Sequence, residues 1–438
     1  MSMRMFLRHT VGLSVALALA TGCGGSKKPA AAPAQAQQVG TPSNPVVQHA
    51  EVSDAAKGPY SDGWKAYKAG DLSAARASFE AAQRADSKSP NPPFALGVVL
   101  EHAGDGASAR AAFRAALTAK PDFDLAAVAY ARSLAAAGDL PAAESFLTER
   151  RSKFPQSAVT LAALADVKSA MGNHGDAQQM AQDALKLNPN EVFAMVVVAR
   201  DHYRARKIDL ARYALQAVLD GFGEASPPRA KENGEAALLR GLLEREYGRR
   251  AAAMEAFERA VTNQPDLTEA LIQLGAMRLE AGNAQTALAV LEPAVKFGPK
   301  SALAHSNLGD AYRLLLRTAE ALKEFDMAEK LDPALASVHY NRALLYMFTP
   351  NVPGMTPTSQ IEGAIAELER YKGMKNTKAV DDVDELLSRA RARQNELKVQ
   401  AGAAAAEAAA AAAPAAPEAA AAPPPAAAPA PEAPKAKK

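Results

Sequence analysis

Residue types that do chemistry are thinly spread along this chain. Its 438 residues hold one cysteine, Cys23. The histidines His102, His174, His202, His305 and His339 fall in separate segments, without the short spacings that gather ligands around a metal. No H-E-x-x-H, no G-x-S-x-G and no phosphate-loop signature is present, so the commonest hydrolase and nucleotide chemistries have no foothold. Gly22 to Lys28 looks superficially like a phosphate loop, but its spacing is wrong and no strand precedes it. Two kinds of chemistry remain. Cys23 offers one acylatable sulfur. Arg132, Arg200 and Arg245 offer guanidinium forks that match carboxylates. With a formal charge of +2 and few aromatic residues, nothing calls for nucleic acid as a partner.

The elements around these residues explain what each can be for. Arg4 and Arg8 give a positive start, and Val11 to Ala20 is an apolar run too short to span a bilayer comfortably. Leu19-Ala20-Thr21-Gly22-Cys23 then resembles the lipobox of bacterial lipoproteins. The resemblance implies cleavage before Cys23, a diacylglyceryl thioether on its sulfur and an acyl chain on its new amino group. No other cofactor is implied. An ordinary secretory signal followed by a chance cysteine is the alternative. Gly24 in place of Asp favours sorting to the outer membrane, by analogy with enterobacteria. Residues 1–22 are thus expected to be a signal peptide and 23–55 a lipidated flexible linker, because the Ala/Gln/Pro run there has no apolar period.

Beyond the linker the chain is periodic. Pro265, Pro299 and Pro333 stand 34 residues apart, and Phe257, Leu291 and Phe325 sit at one fixed offset before them. Ala253, Ala287 and Ala321 occupy a second offset, and Gly241, Gly275 and Gly309 a third. This spacing resembles the tetratricopeptide repeat family. The family implies an all-α solenoid, a right-handed superhelix of about nine helix-turn-helix repeats. Small residues let the paired helices approach, the larger side chain fills the gap beside them, and proline ends each repeat.

Projected along the chain, the frame gives repeats 1–5 over 56–225, an eight-residue insertion at 226–233, and repeats 6–9 over 234–376. The ninth is interrupted by a Pro-rich insertion at 349–359. The fifth has lost its turn glycine to the Arg206-Lys207 region. A capping helix is expected over 377–400, and an Ala/Pro-rich low-complexity tail, disordered beyond Pro414, over 401–438.

In this family ligands run along the concave face lined by each first helix, and the resemblance places candidate binding residues there. Trp64 and Tyr67 form an aromatic start, Arg132, Arg200, Tyr203 and Arg245 a basic centre, and Leu238, Leu242 and Ile272 an apolar flank. Asn307 and Asn341, also 34 apart, look like the first-helix asparagine common in these repeats. His305 and His339, with the same separation, are read as packing residues. The groove is expected to take an acidic, partly apolar segment.

The combined reading is a non-enzymatic protein–protein interaction scaffold, lipid-anchored in the envelope of a Gram-negative bacterium and facing the periplasm. Its layout is similar to repeat lipoproteins that pilot pilus secretins and to those of myxobacterial gliding machinery. Its partners are expected to be other envelope proteins held in the groove, with the membrane reached through the anchor and no small-molecule substrate. A regulator of peptidoglycan hydrolases or synthases is the alternative.

Overall fold

A computed structural model describes residues 51–374 and 382–412; Cys23, the linker up to residue 50 and the tail beyond Ala412 lie outside the described residues. All regular structure among the described residues is helical. Nine antiparallel pairs stack in chain order. They are α1 (Asp54–Lys68) with α2 (Leu72–Ala85), α3 (Asn91–His102) with α4 (Gly106–Ala119), and α5 (Asp124–Ala136) with α6 (Leu140–Lys153). Next come α7 (Ala158–Ala170) with α8 (His174–Leu187), α9 (Val192–Arg204) with α10 (Ile208–Leu219), and α11 (Gly234–Glu246) with α12 (Arg250–Asn263). The last are α13 (Thr268–Glu280) with α14 (Ala284–Phe297), α15 (Ala302–Leu314) with α16 (Thr318–Leu331), and α17 (Ala336–Phe348) with α18 (Pro357–Gly373). The single helix α19 (Val383–Ala412) closes the array and runs on past Gln400. Val383, Leu386 and Leu387 bury against Leu344, Leu368 and Tyr371, while Val399 is 72% exposed, so only the first part of α19 packs as a cap.

The turn inside each pair is built by two residues. Gly104 takes φ 71°, a left-handed conformation that ends α3, and the Asp105 side chain then accepts from the Ser108 amide at 3.1 Å to start α4. Arg206 and Leu316 hold the same conformation, at φ 61° and 59°, without glycine's freedom. The turn therefore belongs to the architecture and is imposed on whatever residue stands there.

The crossing within each pair is equally specific. A Cβ on Gly309 would lie 2.6 Å from the Phe325 ring, and one on Gly241 2.4 Å from Phe257. Glycine is needed at these sites because the ring lies flat on the backbone of the first helix. Repeats 3 to 5 use another solution. Ala131 packs with Leu147, Ala165 with Ala181, and Ala199 with Leu215, each pair fully or almost fully buried. The extra methyl on the first helix is matched by a smaller side chain on the second.

Both insertions are tied down. Arg259 donates to the carbonyls of Leu219 at 2.7 Å and Lys231 at 2.9 Å and to the Asp220 carboxylate at 2.9 Å, clamping the loop that holds 226–233. In the second, the Gln360 amide donates to the carbonyls of Tyr346 and Thr349 at 2.7 and 2.6 Å, and Thr356 with Ser359 forms a reciprocal cap on α18.

The array also meets itself. Tyr67, at the end of α1, donates its hydroxyl to Asp266, between α12 and α13, at 2.5 Å. His102 Nδ1, at the end of α3, donates to the carbonyl of Phe297 at 2.9 Å. Lys300 Nζ donates to the Gly104 carbonyl at 3.0 Å. Repeats 1 and 2 thus abut repeats 6 and 7, and repeats 8 and 9 continue past this seam.

Candidate functional site

The first helices α5, α7, α9 and α11 turn a set of charged side chains toward one another across the concave face. Arg132 donates to both oxygens of Glu235, at 2.8 and 3.0 Å, in the fork expected of a guanidinium facing a carboxylate. Arg200 bridges Asp166 at 2.7 Å and Glu235 at 3.0 Å, and Arg204 takes the other oxygen of Asp166 at 2.8 Å. The Phe193 ring lies under the Arg132 guanidinium, 4.9 Å from its centroid. Arg132, Asp166, Arg200 and Glu235 are all at least 87% shielded from solvent at the side chain. Burial alone would raise the Asp166 carboxyl, but Arg200, Arg204 and Arg132 outweigh it and hold the group down at about 2. Three guanidiniums here meet two carboxylates in a desolvated space.

This arrangement corrects the expectation of a basic centre open to an acidic partner. Arg132 and Arg200 do converge, but their forks are filled by the chain's own Asp166 and Glu235. Arg245 does not join them; it donates to the Gln273 side chain, which itself meets Glu269. The two acids were visible in the sequence, because Asp166 and Glu235 fall at inward-facing positions of the same repeat frame. Attention to the arginines alone misses that the frame supplies its own counter-charges.

The aromatic start is likewise engaged internally. Trp64 packs edge-on against Tyr67 and Phe79, with centroids 5.6 and 5.2 Å away. Tyr67 is 4% exposed and belongs to the seam with Asp266. Burial, then the charge of Asp266, pushes the Tyr67 hydroxyl far up, so it stays a donor. Tyr67 serves packing and closure, while Trp64 is half-buried. Tyr203 is half-buried, and burial with the nearby Glu246 carboxylate raises its hydroxyl.

The candidate residues of the later repeats are buried to different extents. Ile272 is buried, whereas Leu238 and Leu242 remain half-buried at the edge of the same apolar cluster. Asn307 is 8% exposed, and its Nδ2 has no hydrogen-bond partner; Asn341 is half-buried. A buried amide donor without a partner costs free energy. His305 and His339 meet Glu324 and Glu367, each at 2.6 Å, across the helix pair. Burial opposes a proton on His305, but Glu324 and the Pro299 carbonyl outweigh it and raise the imidazole. Among the described residues no group of three or more His, Cys, Asp and Glu is placed to hold a metal ion, and no helix is long and apolar enough to cross a membrane.

A tetratricopeptide repeat family model matches residues 60–123, 94–158, 196–268 and 274–336, more than half of the chain. The stretch it passes over between 158 and 196 is the repeat with alanine at both crossing positions, Ala165 and Ala181. Comparison with curated protein sequences gives no match. Among solved structures, the APC/C hetero-tetramer Cut9–Hcn1 is similar with a TM-score of 0.51 at 17% identity. That match covers 75% of this chain and 64% of the other, so this chain spans less than two thirds of that structure's length; the likeness is one of fold. YrrB, described as a TPR protein with an unusual peptide-binding site, is 19% identical over 44% of this chain and 96% of its own, with a TM-score of 0.32. MamA is 22% identical over 39% of this chain and 95% of its own, again at 0.32. Both likenesses are too slight to argue from.

Proposed function

We propose, starting from the fact that this chain belongs to the tetratricopeptide repeat family, that it is a non-enzymatic scaffold which gathers partner proteins in a bacterial envelope. In this reading Cys23 carries the lipid and holds the solenoid on the outer membrane, facing the periplasm. The lipobox-like run Leu19 to Cys23 supports the anchor, and two or more acyl chains suffice for stable attachment. The observation that carries the binding reading is the contrast along the concave face. Its centre is paired internally with Asp166 and Glu235, while Asn307 in α15 keeps an unpartnered buried donor and Leu238 and Leu242 stay half-buried. The partner therefore docks along repeats 6 to 9, laying a segment with apolar side chains and a free backbone carbonyl against them.

Two experiments test the two parts separately. Cys23→Ser should remove the acyl mass and release the protein from the membrane fraction; unchanged mass and retention would end the lipoprotein reading. For binding, the full chain is cross-linked in cells, and its partners are identified by mass spectrometry. The most abundant partner is then purified and titrated. L242E with Asn307→Ala should weaken it by at least about tenfold, the scale of removing one interaction with a buried partner. Wild-type affinity in that variant, with helical content intact, would move the site off this face.

A further inference from the structure

The seam between repeats 1–2 and repeats 6–7 is built from specific contacts. On one side stand Tyr67 at the end of α1, Gly70 just after it, and the turn His102–Gly104 at the end of α3. On the other stand Asp266 and the segment Lys296 to Lys300. Hydrogen bonds cross it from Tyr67 to Asp266, His102 to the Phe297 carbonyl and Lys300 to the Gly104 carbonyl, and His102 Nε2 lies 3.9 Å from the Asp266 carboxylate. Tyr67, His102 and Phe297 also pack as a triangle of rings with centroids 5.5 to 6.2 Å apart. The fit is close, since a Cβ on Gly104 would lie 2.5 Å from the Lys300 side chain and one on Gly70 3.1 Å from Lys296.

We infer that this seam is a latch: it holds the first superhelical turn closed over the Arg132–Glu235–Arg200–Asp166 cluster, and the segment docked on repeats 6 to 9 extends over that part of the concave face only when the latch releases. The second half of this statement rests on the reading that the concave face takes partners. The first half does not.

Two features fit a seam made to open. The latch carries polar groups that closure leaves short of partners. One oxygen of Asp266 accepts from Tyr67, while the other is buried with no hydrogen-bond partner. Glu101, next to His102, likewise has a buried oxygen without a partner, and burial pushes its carboxyl up to about 7 against the pull of Arg132 and Arg110. Opening would return these oxygens to water, which offsets part of the cost of breaking the hydrogen bonds across the seam. The latch is also coupled to the centre, because the pair of Arg132 with Glu235 joins repeat 3 to repeat 6 on the same closed turn. Opening the seam moves repeats 1 and 2 away from 6 and 7 and strains that pair.

The test needs no partner. In the full chain carrying Cys23→Ser, spin labels on K68C and T262C, both exposed and on opposite sides of the seam, report its width. In a separate Cys23→Ser chain, A163C places one thiol in the buried centre beside Arg132 and Asp166. Wild type should give one narrow distance and a slowly reacting thiol. Tyr67→Phe combined with Asp266→Ala should lengthen and broaden the distance and speed thiol modification by about tenfold or more, with helical content unchanged. If that variant loses helical content, Lys300→Ala is read in the same two assays. A broad distance already present in wild type, or an unlatched variant with wild-type distance and reactivity, would overturn the latch. Either failure leaves the scaffold reading standing, because binding at repeats 6 to 9 is measured independently.

Discussion

Repeats 1, 2, 6 and 8 and repeats 3 to 5 hold their helix pairs together in different ways. The first group lays a phenylalanine on a bare glycine backbone, as Phe325 lies on Gly309. The second group crosses on alanine with leucine or a second alanine, giving up much of the apolar burial, and it is the same repeats that contribute Arg132, Asp166, Arg200 and Arg204 to the polar cluster. The difference teaches that one repeat fold can be fixed either within a pair, by shape, or between pairs, by charge. Where shape is weakest, charge pairing across neighbouring repeats sets the register.

Phe325→Ala should be the most damaging change in the first group, costing ~3–5 kcal/mol by opening a cavity beside Gly309. Denaturation of the full chain should show the loss, with hydrogen exchange loosened first in α15 and α16. In the second group, Asp166→Ala should cost a similar ~3–5 kcal/mol, because it takes one of the two carboxylates from buried Arg200 and the carboxylate that faces Arg204. A loss below about 1 kcal/mol there would mean the cluster is ornamental.

Exchanging the two designs sharpens the contrast. Ala181→Phe should destabilise by ~1–3 kcal/mol, since the ring meets the Ala165 methyl, and adding Ala165→Gly should recover most of that loss. Absence of rescue would show that the helices of repeat 4 are spaced differently from those of repeat 8.

Charge in the two regions also responds to pH differently. Asp166 is held down, so its contribution is lost only as the pH falls through the acid range toward about 2. Glu101 is raised to about 7, with Arg132 and Arg110 facing it and Tyr67 and His102 alongside. Its folded form prefers the proton, so its contribution is complete below the ordinary glutamate value and declines as the pH rises toward 7. Stability measured at pH 5 and pH 8 should therefore differ by ~1–3 kcal/mol, and Glu101→Gln should shrink that difference. The smallest effect expected is at Leu316, 73% exposed with φ 59°. Leu316→Gly should stabilise by ~1 kcal/mol through relief of the left-handed conformation, measured as a shift in the denaturation midpoint.

Much of the fold is legible in the sequence because each local rule points the same way. The 34-residue spacing of Pro265, Pro299 and Pro333, the glycine turns and the Gly–Phe offsets are each dictated within one helix pair. The candidate site is less legible. That Arg132 points inward follows from the frame, but that it meets Glu235, 103 residues on, depends on the pitch accumulated over three repeats. Tyr67 and Asp266 are 199 residues apart, further still. No local pattern encodes such distances, and an inward aromatic reads the same whether it awaits a ligand or a distant turn of its own chain.

A strictly linear repeat array has two ends, and each frays because its last unit has a neighbour on one side only. The contacts of Tyr67, His102 and Gly104 give the first repeat the second neighbour it would otherwise lack and tie the next one to the same seam. Repeats 1 to 7 then behave thermodynamically as a circle, in which loss of any one unit removes two boundaries and also opens the ring. Damage there is shared around the loop instead of staying beside its origin. Only one true terminus remains among the described repeats, at α18 and α19, and it is from that side that the molecule begins to unravel.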